Sequence, residues 1–156
     1  MALDPDKLDW FRRNSRIGLD RHGQWRFDGN PVENPKVQKL FHRGVRIDES
    51  TGEAQLHVGT QWCFIQDLED TAFFVDKVRI EGEQVRLQLL DGSTQPLAPD
   101  TVCQRGPIDV YCRLENGQQA RFLRDALAQL GPLLSEKGDK VGVMLKGAFY
   151  PIVERD

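Results

Sequence analysis

The sequence predicts an α+β protein with few short helices, in which two repeated strand–helix–hairpin motifs flank a strand-rich antiparallel middle. Three observations lead there. Most of the apolar residues alternate with polar ones at a period of two, the signature of half-buried strands. Helical spacing is confined to short stretches. An alternating strand, a turn, a helix and a hairpin follow one another near each end of the chain, around His22-Gly23-Gln24 and again around Asn116-Gly117-Gln118. That order implies an internal repeat, with helices covering one side of antiparallel sheet.

The elements follow in order. Asp4-Pro5 opens a first helix, Asp as cap and Pro at the first helical position, with Leu3, Leu8, Trp10 and Phe11 as its apolar stripe. Ile17 and Leu19, a turn at His22-Gly23, then Trp25 and Phe27 read as a hairpin closed by Asp28-Gly29-Asn30-Pro31. Asn34-Pro35 starts a second helix with Val37, Leu40 and Phe41 on one face, and Gly44 stops it. Strands are expected at 45–48, 54–58, 62–66, 72–80, 85–90 and 101–103, with tight turns at Glu81-Gly82-Glu83 and Asp91-Gly92-Ser93. Val110 to Leu114 reads as a strand, Asn116-Gly117 as a turn, and Ala120 to Leu134 as an amphipathic helix broken near Gly131-Pro132. Val141 to Leu145 and Phe149 to Val153 close the chain as a hairpin around Lys146-Gly147. The expected organisation is an α+β motif over 1–60, a strand-rich middle over 61–108 and a repeat-like α+β motif over 109–156, forming one compact unit or two small lobes.

Composition excludes much. A chain of 156 residues buries roughly two thirds of its unfolded surface, so it needs neither metal nor disulfide to fold. No apolar run approaches the roughly 20 residues of a membrane helix, and the acidic start Met1-Ala2-Leu3-Asp4-Pro5-Asp6 is unlike a signal peptide. Cys63, Cys103 and Cys112 show no metal-binding spacing, which points to a reducing cytoplasm and buried thiols; Cys103 and Cys112 are also placed to face each other across Gly106-Pro107. The net charge of −3 resolves into +1 over residues 1–60, −5 over 61–120 and +1 over 121–156. It gives no global attraction to nucleic acid or to a membrane.

The segment Gly23-Gln24-Trp25-Arg26-Phe27-Asp28-Gly29-Asn30-Pro31-Val32, followed by Val37 and Leu40-Phe41, resembles the bacterial family known as domain of unknown function 1285. So does Leu68-Glu69-Asp70-Thr71-Ala72-Phe73-Phe74-Val75. The likeness covers roughly residues 3–110. Pro31-Val32-Glu33-Asn34-Pro35, and the absence of a Pro-x-Glu pattern around Thr60-Gln61-Trp62-Cys63, mark a divergent branch. The resemblance implies a fold of two repeated α/β motifs and a part in bacterial signal transduction, and it implies no catalytic residue.

Candidate chemistry is sparse. No nucleophile elbow, phosphate loop or histidine pair with zinc spacing occurs, and His22, His42 and His57 read as structural or solvated. Asp67, Glu69 and Asp70 lie in a short connection between apolar strands. There they serve as turn residues, or as a carboxylate pair for acid/base work or a divalent metal. Arg12, Arg13, Arg16, Arg21 and Arg26, interleaved with Trp10 and Trp25, form the one pattern suited to single-stranded nucleic acid. Asp4, Asp6, Asp9, Asp20 and Asp28 cancel most of that field, so nucleic acid is disfavoured. Trp25, Arg26, Phe27 and Pro31, with Asp70, are the expected ligand-binding residues, lining an apolar cleft between lobes, or else Trp25 simply anchors a core. The reading favoured is a non-catalytic, cofactor-free regulatory module that binds a small ligand or a protein partner. A small enzyme built on Asp67, Glu69 and Asp70 is the alternative, and single-strand binding the third.

Overall fold

A computed structural model describes residues 4–155; Leu3, expected in the stripe of the first helix, lies outside them. The chain divides into two compact units, Met1–Ala72 and Phe73–Asp156. The boundary between the units falls within the expected middle block, 61–108.

In the first unit, helix α1 (Pro5–Arg13) is capped by Asp4, whose Oδ1 accepts the Asp6 N–H at 3.0 Å. Strands β1 (Ile17–Leu19), β2 (Trp25–Phe27) and β3 (Asn30–Pro31) follow, then helix α2 (Pro35–Arg43). Asn34 caps α2 through its Oδ1, which accepts from Lys36 and Val37 at 2.9 and 3.4 Å. Strands β4 (Val45–Ile47), β5 (Ala54–Val58), β6 (Gln61–Phe64) and β7 (Asp67–Leu68) complete the unit. They make a sheet of order β3-β2-β1-β7 and an antiparallel sheet of order β4-β5-β6. β7 runs parallel to β1 and forms an edge of its sheet.

The stripe of α1 does not face a core: Trp10 is 59% exposed and Phe11 56%. The helix is fastened instead by its last turn. Arg12 lies 3.9 Å over the Trp62 ring, Arg13 lies 4.3 Å over Phe64, and Arg13 also pairs with Glu53 at 2.8 Å. A cation on an aromatic face holds without burying the apolar side of the helix. α2 packs more conventionally, with Phe41 edge-on to the fully buried Trp25 at 5.4 Å and His42 accepting the Trp25 Nε1–H at 3.2 Å.

The second unit holds β8 (Phe73–Glu81), β9 (Gln84–Leu89), β10 (Thr94–Pro96), β11 (Cys103–Arg105), β12 (Asp109–Arg113) and β13 (Gln119–Phe122). Helix α3 (Arg124–Leu130) follows, then β14 (Leu134–Lys137), β15 (Lys140–Leu145), β16 (Ala148–Pro151) and β17 (Val153–Glu154). The main sheet has the order β10-β9-β8-β13-β12-β11-β17, and β14-β15-β16 form a smaller antiparallel one. Val75, Leu87, Val102, Cys112, Ala120, Ala126, Leu130 and Val143 form its core.

Two expectations change here. The helix read over 120–134 begins at Arg124, because Gln119–Phe122 is strand, with Ala120 and Phe122 buried on either side of the half-buried Arg121. Phe122, Ala126 and Leu130 are four apart and mimic a helical face, but Phe122 is held by register with Val75 across a parallel ladder. The sheet is accordingly mixed, with parallel pairings β8–β13 and β11–β17 joining antiparallel hairpins. Cys103 and Cys112 also do not face each other. Cys103 pairs with Tyr111, one residue out of step, so the two thiols project from opposite faces of the sheet. No helix among the described residues is long and apolar enough to cross a membrane.

Candidate functional site

The sheet β3-β2-β1-β7 has two faces of opposite character. Ile17, Leu19 and Trp25 point into the core, at 9%, 1% and 0% exposure. On the other face Gly18 stands between Arg26 and Asp67, its partners in the neighbouring strands. A Cβ on Gly18 would meet the Asp67 carbonyl oxygen at 3.3 Å and its Cβ at 3.5 Å. The missing side chain is thus the floor of an open depression of about 560 Å³, with Arg16, Asp20, Arg26, Asp28, Asp67 and Glu69 in its walls.

Most of the wall charges already have partners. Asp20 Oδ1 accepts the backbone N–H groups of His22 and Gln24 at 2.9 and 3.0 Å, and its Oδ2 faces Arg26 at 3.4 Å. Glu69 accepts the Arg21 backbone N–H at 2.9 Å and its Nε–H at 2.8 Å. The backbone bond first, and the guanidinium second, hold the Glu69 carboxyl below its ordinary pKa. A carboxylate held ionised in this way is a poor general acid at neutral pH. Arg16 stands 4.0 Å from Asp28. Asp67 is exposed, and its side chain has neither hydrogen-bond nor ion-pair partner among the described residues. Among those residues no three His, Cys, Asp or Glu side chains converge to hold a metal ion.

Arg16 divides this depression from a second. Its backbone sits at φ 65°, a left-handed conformation that costs a non-glycine residue about 1 kcal/mol or more. It is held there by Gln66 Oε1, which accepts its N–H at 2.8 Å, and by the Asp28 N–H, which its carbonyl accepts at 2.9 Å. Beyond it lies a depression of about 430 Å³, walled by Trp10, Phe11 and Phe27, with Arg16 and Gln66 shared between the two. Trp10 and Phe11 meet edge to face at 5.3 Å, and Phe27 is 51% exposed. A cluster of three large aromatics this open is unusual on a protein surface.

The residues expected to bind ligand are thus separated. Arg26 lines the first depression and Phe27 the second, whereas Trp25 is a core residue. Pro31 is exposed on β3, opposite Arg26, and lines neither. Of the acidic candidates, Asp67 and Glu69 line the first depression; Asp70 is half-buried and does not. The depression lies within the first unit and is polar, where an apolar cleft was expected. The arginines are dispersed by local pairing: Arg13 with Asp9 at 3.0 Å and with Glu53, Arg21 with Glu69, Arg26 with Asp20, and Arg12 on Trp62. Gly18 and Gln66 were not singled out by the sequence reading. A lone glycine inside an apolar strand is itself a signal of close backbone approach, and at Gly18 it marks the site.

No protein-family model matches the chain, and no curated protein matches it in sequence. Two solved structures do match. A DUF1285 family protein from Silicibacter pomeroyi DSS-3 aligns with a TM-score of 0.67 at 18% identity, over 88% of this chain and 79% of that one. A DUF1285 family protein from Shewanella baltica OS155 aligns with a TM-score of 0.55 at 17% identity, over 70% of this chain and 84% of that one. Both come from the family that the Gly23–Val32 and Leu68–Val75 segments resemble. At these identities the likeness establishes a shared α+β fold.

Proposed function

We propose that this chain, which has the fold of DUF1285 family proteins, is a non-catalytic binding module that takes a small ligand or a segment of a protein partner in the depression over Gly18, in a regulatory role. The carrying observation is that floor. Gly18 leaves space at the centre of a charged sheet face, bounded by Arg26 on one strand and Asp67 on another. Rigid strands set the walls, so the site is formed before ligand arrives. The ion pairs Arg21–Glu69 and Arg26–Asp20 support binding over turnover, since they leave both carboxylates engaged with arginine. A bacterial signalling role, the setting implied by the family resemblance, fits a protein that recognises without converting.

The test is an ¹H–¹⁵N titration with pooled polar metabolites and short peptides of both charge signs. Ligands of this site shift the amides of Arg16, Gly18 and Asp67, and Gly18→Ala, whose Cβ needs the edge residue Asp67 to give way by only a few tenths of an ångström, narrows the floor and weakens the shifts while the spectrum of the second unit is kept. Shifts that ignore this region, or chemical conversion of a bound compound, overturn the proposal.

A further inference from the structure

The two depressions share a wall and differ in chemistry, and that juxtaposition narrows the occupant. In the first depression Asp20, Glu69 and Asp28 each face an arginine, which leaves the Asp67 carboxylate as the uncompensated charge of its wall among the described residues. The first unit carries ten Lys and Arg against twelve Asp and Glu, so its net charge also favours a cation. The second depression offers three exposed aromatic faces and, besides Arg16, no charged wall residue. A cationic group satisfies Asp67, and an apolar or aromatic group next to it covers Trp10, Phe11 and Phe27.

Asp67 lies on β7, an edge strand, with residues 66–69 all exposed along it. An extended backbone can lie against such an edge and send successive side chains to different pockets. From this, and resting on the binding reading above, we infer that the site docks an extended basic–apolar segment of a protein partner, with a Lys or Arg side chain at Asp67 and a neighbouring apolar side chain over Trp10 and Phe27. Arg16 and Gln66, common to both depressions, divide the two side chains and set their spacing.

The probe is a short capped peptide of alternating Arg and Phe, titrated by calorimetry and by ¹H–¹⁵N spectra at low and at physiological salt. A Glu–Phe peptide, an Arg–Ser peptide and arginine amide alone serve as comparisons. The expected result is one-to-one binding of the Arg–Phe peptide, with shifts at Asp67, Gln66 and Trp10. Asp67→Asn weakens it at least tenfold, and so does Trp10→Ser combined with Phe27→Ser; the comparison ligands bind at least tenfold more weakly. Asp67 is exposed, so its amide variant keeps the fold, which an unchanged spectrum elsewhere verifies. Equal binding of the Glu–Phe peptide at the same residues overturns the basic–apolar assignment and leaves the binding module standing. Arginine amide binding as tightly as the peptide overturns the peptide assignment. Failure of the Arg–Phe peptide to bind, or binding indifferent to Asp67→Asn, overturns the inference as well. Failure of the pooled titration to reach Gly18 overturns the module itself.

Discussion

Gly44→Ala is the sharpest test of the first unit's packing, because two principles give it opposite signs. Gly44 closes α2, its N–H reaching Leu40 and Phe41 at 3.1 and 3.0 Å, with a φ of −88° that alanine adopts freely. On chain entropy alone the substitution stabilises by about 0.4–1 kcal/mol. The surroundings reverse this. The new Cβ would fall on the His57 carbonyl oxygen, with the His57 carbonyl carbon at 3.1 Å and Leu56 Cδ1 at 3.2 Å. The atoms in the way are mostly backbone of β5, which cannot rotate aside. Moving β5 also stretches the 2.8 Å bond from the His57 N–H to the Gly44 carbonyl. Overpacking of this kind costs about 1–3 kcal/mol and the hydrogen bond about 0.5–1.5 kcal/mol. Set against the entropic gain, a net loss of about 0.5–4 kcal/mol is expected. Urea unfolding followed by tryptophan fluorescence reads it, since Trp25 is in the same unit. An unchanged or raised midpoint would show that α2 and β5 do not approach as closely as described.

Two further outcomes follow from ionisable side chains. His57, stacked on Trp62 with ring centroids 5.6 Å apart, has its pKa lowered from 6.5 by burial first, then by Arg46 and Arg12. The unfolded chain therefore takes up this proton first, so the His57 contribution is intact above about pH 6.5 and declines as pH falls through the folded pKa. His57→Gln flattens the stability profile between pH 7 and 5; an unaltered slope counts against the account. The Cys112 thiol is pushed up to about 12, by burial first and the neighbouring Cys103 second. At pH 8 it resists alkylation in the native protein and reacts on unfolding, whereas half-buried Cys63 reacts before it. Mass spectrometry after brief iodoacetamide treatment gives the order, and early labelling of Cys112 would contradict the core placement.

Local chemistry was legible in the sequence, and long-range pairing was not. Asp4 and Asn34 announce the starts of α1 and α2 because capping is decided within three residues. Lys146-Gly147, both at positive φ, likewise turn β15 into β16. The strand Gln119–Phe122 has one partner, β12, just across the Asn116-Gly117 turn, and was hidden because the other, β8, which holds Phe122, lies more than forty residues earlier in the chain. Helical spacing continued into α3, and nothing in the segment itself reports a parallel neighbour. The site divides the same way. Asp67, Glu69, Arg26 and Phe27 stood out by residue type, yet which of them share a wall depends on β7 lying beside β1. Trp25 carried the strongest motif signal and is committed to packing, its ring closed in by Phe41 and His42.

The fastening of α1 has a kinetic side. No residue of this helix is buried, and its grip on β6 and Glu53 is made of guanidinium groups on rings and a carboxylate. Such contacts weaken as ions screen the charged pair, and little apolar area resists separation. Local opening of α1 therefore precedes loss of the sheet, and its amides exchange with solvent ahead of those in β1 and β2. Trp10 and Phe11 leave with it, so the aromatic depression is a transient surface, present for the fraction of time that the helix stays docked. The charged depression over Gly18, walled from strands and their connections, does not share that lifetime.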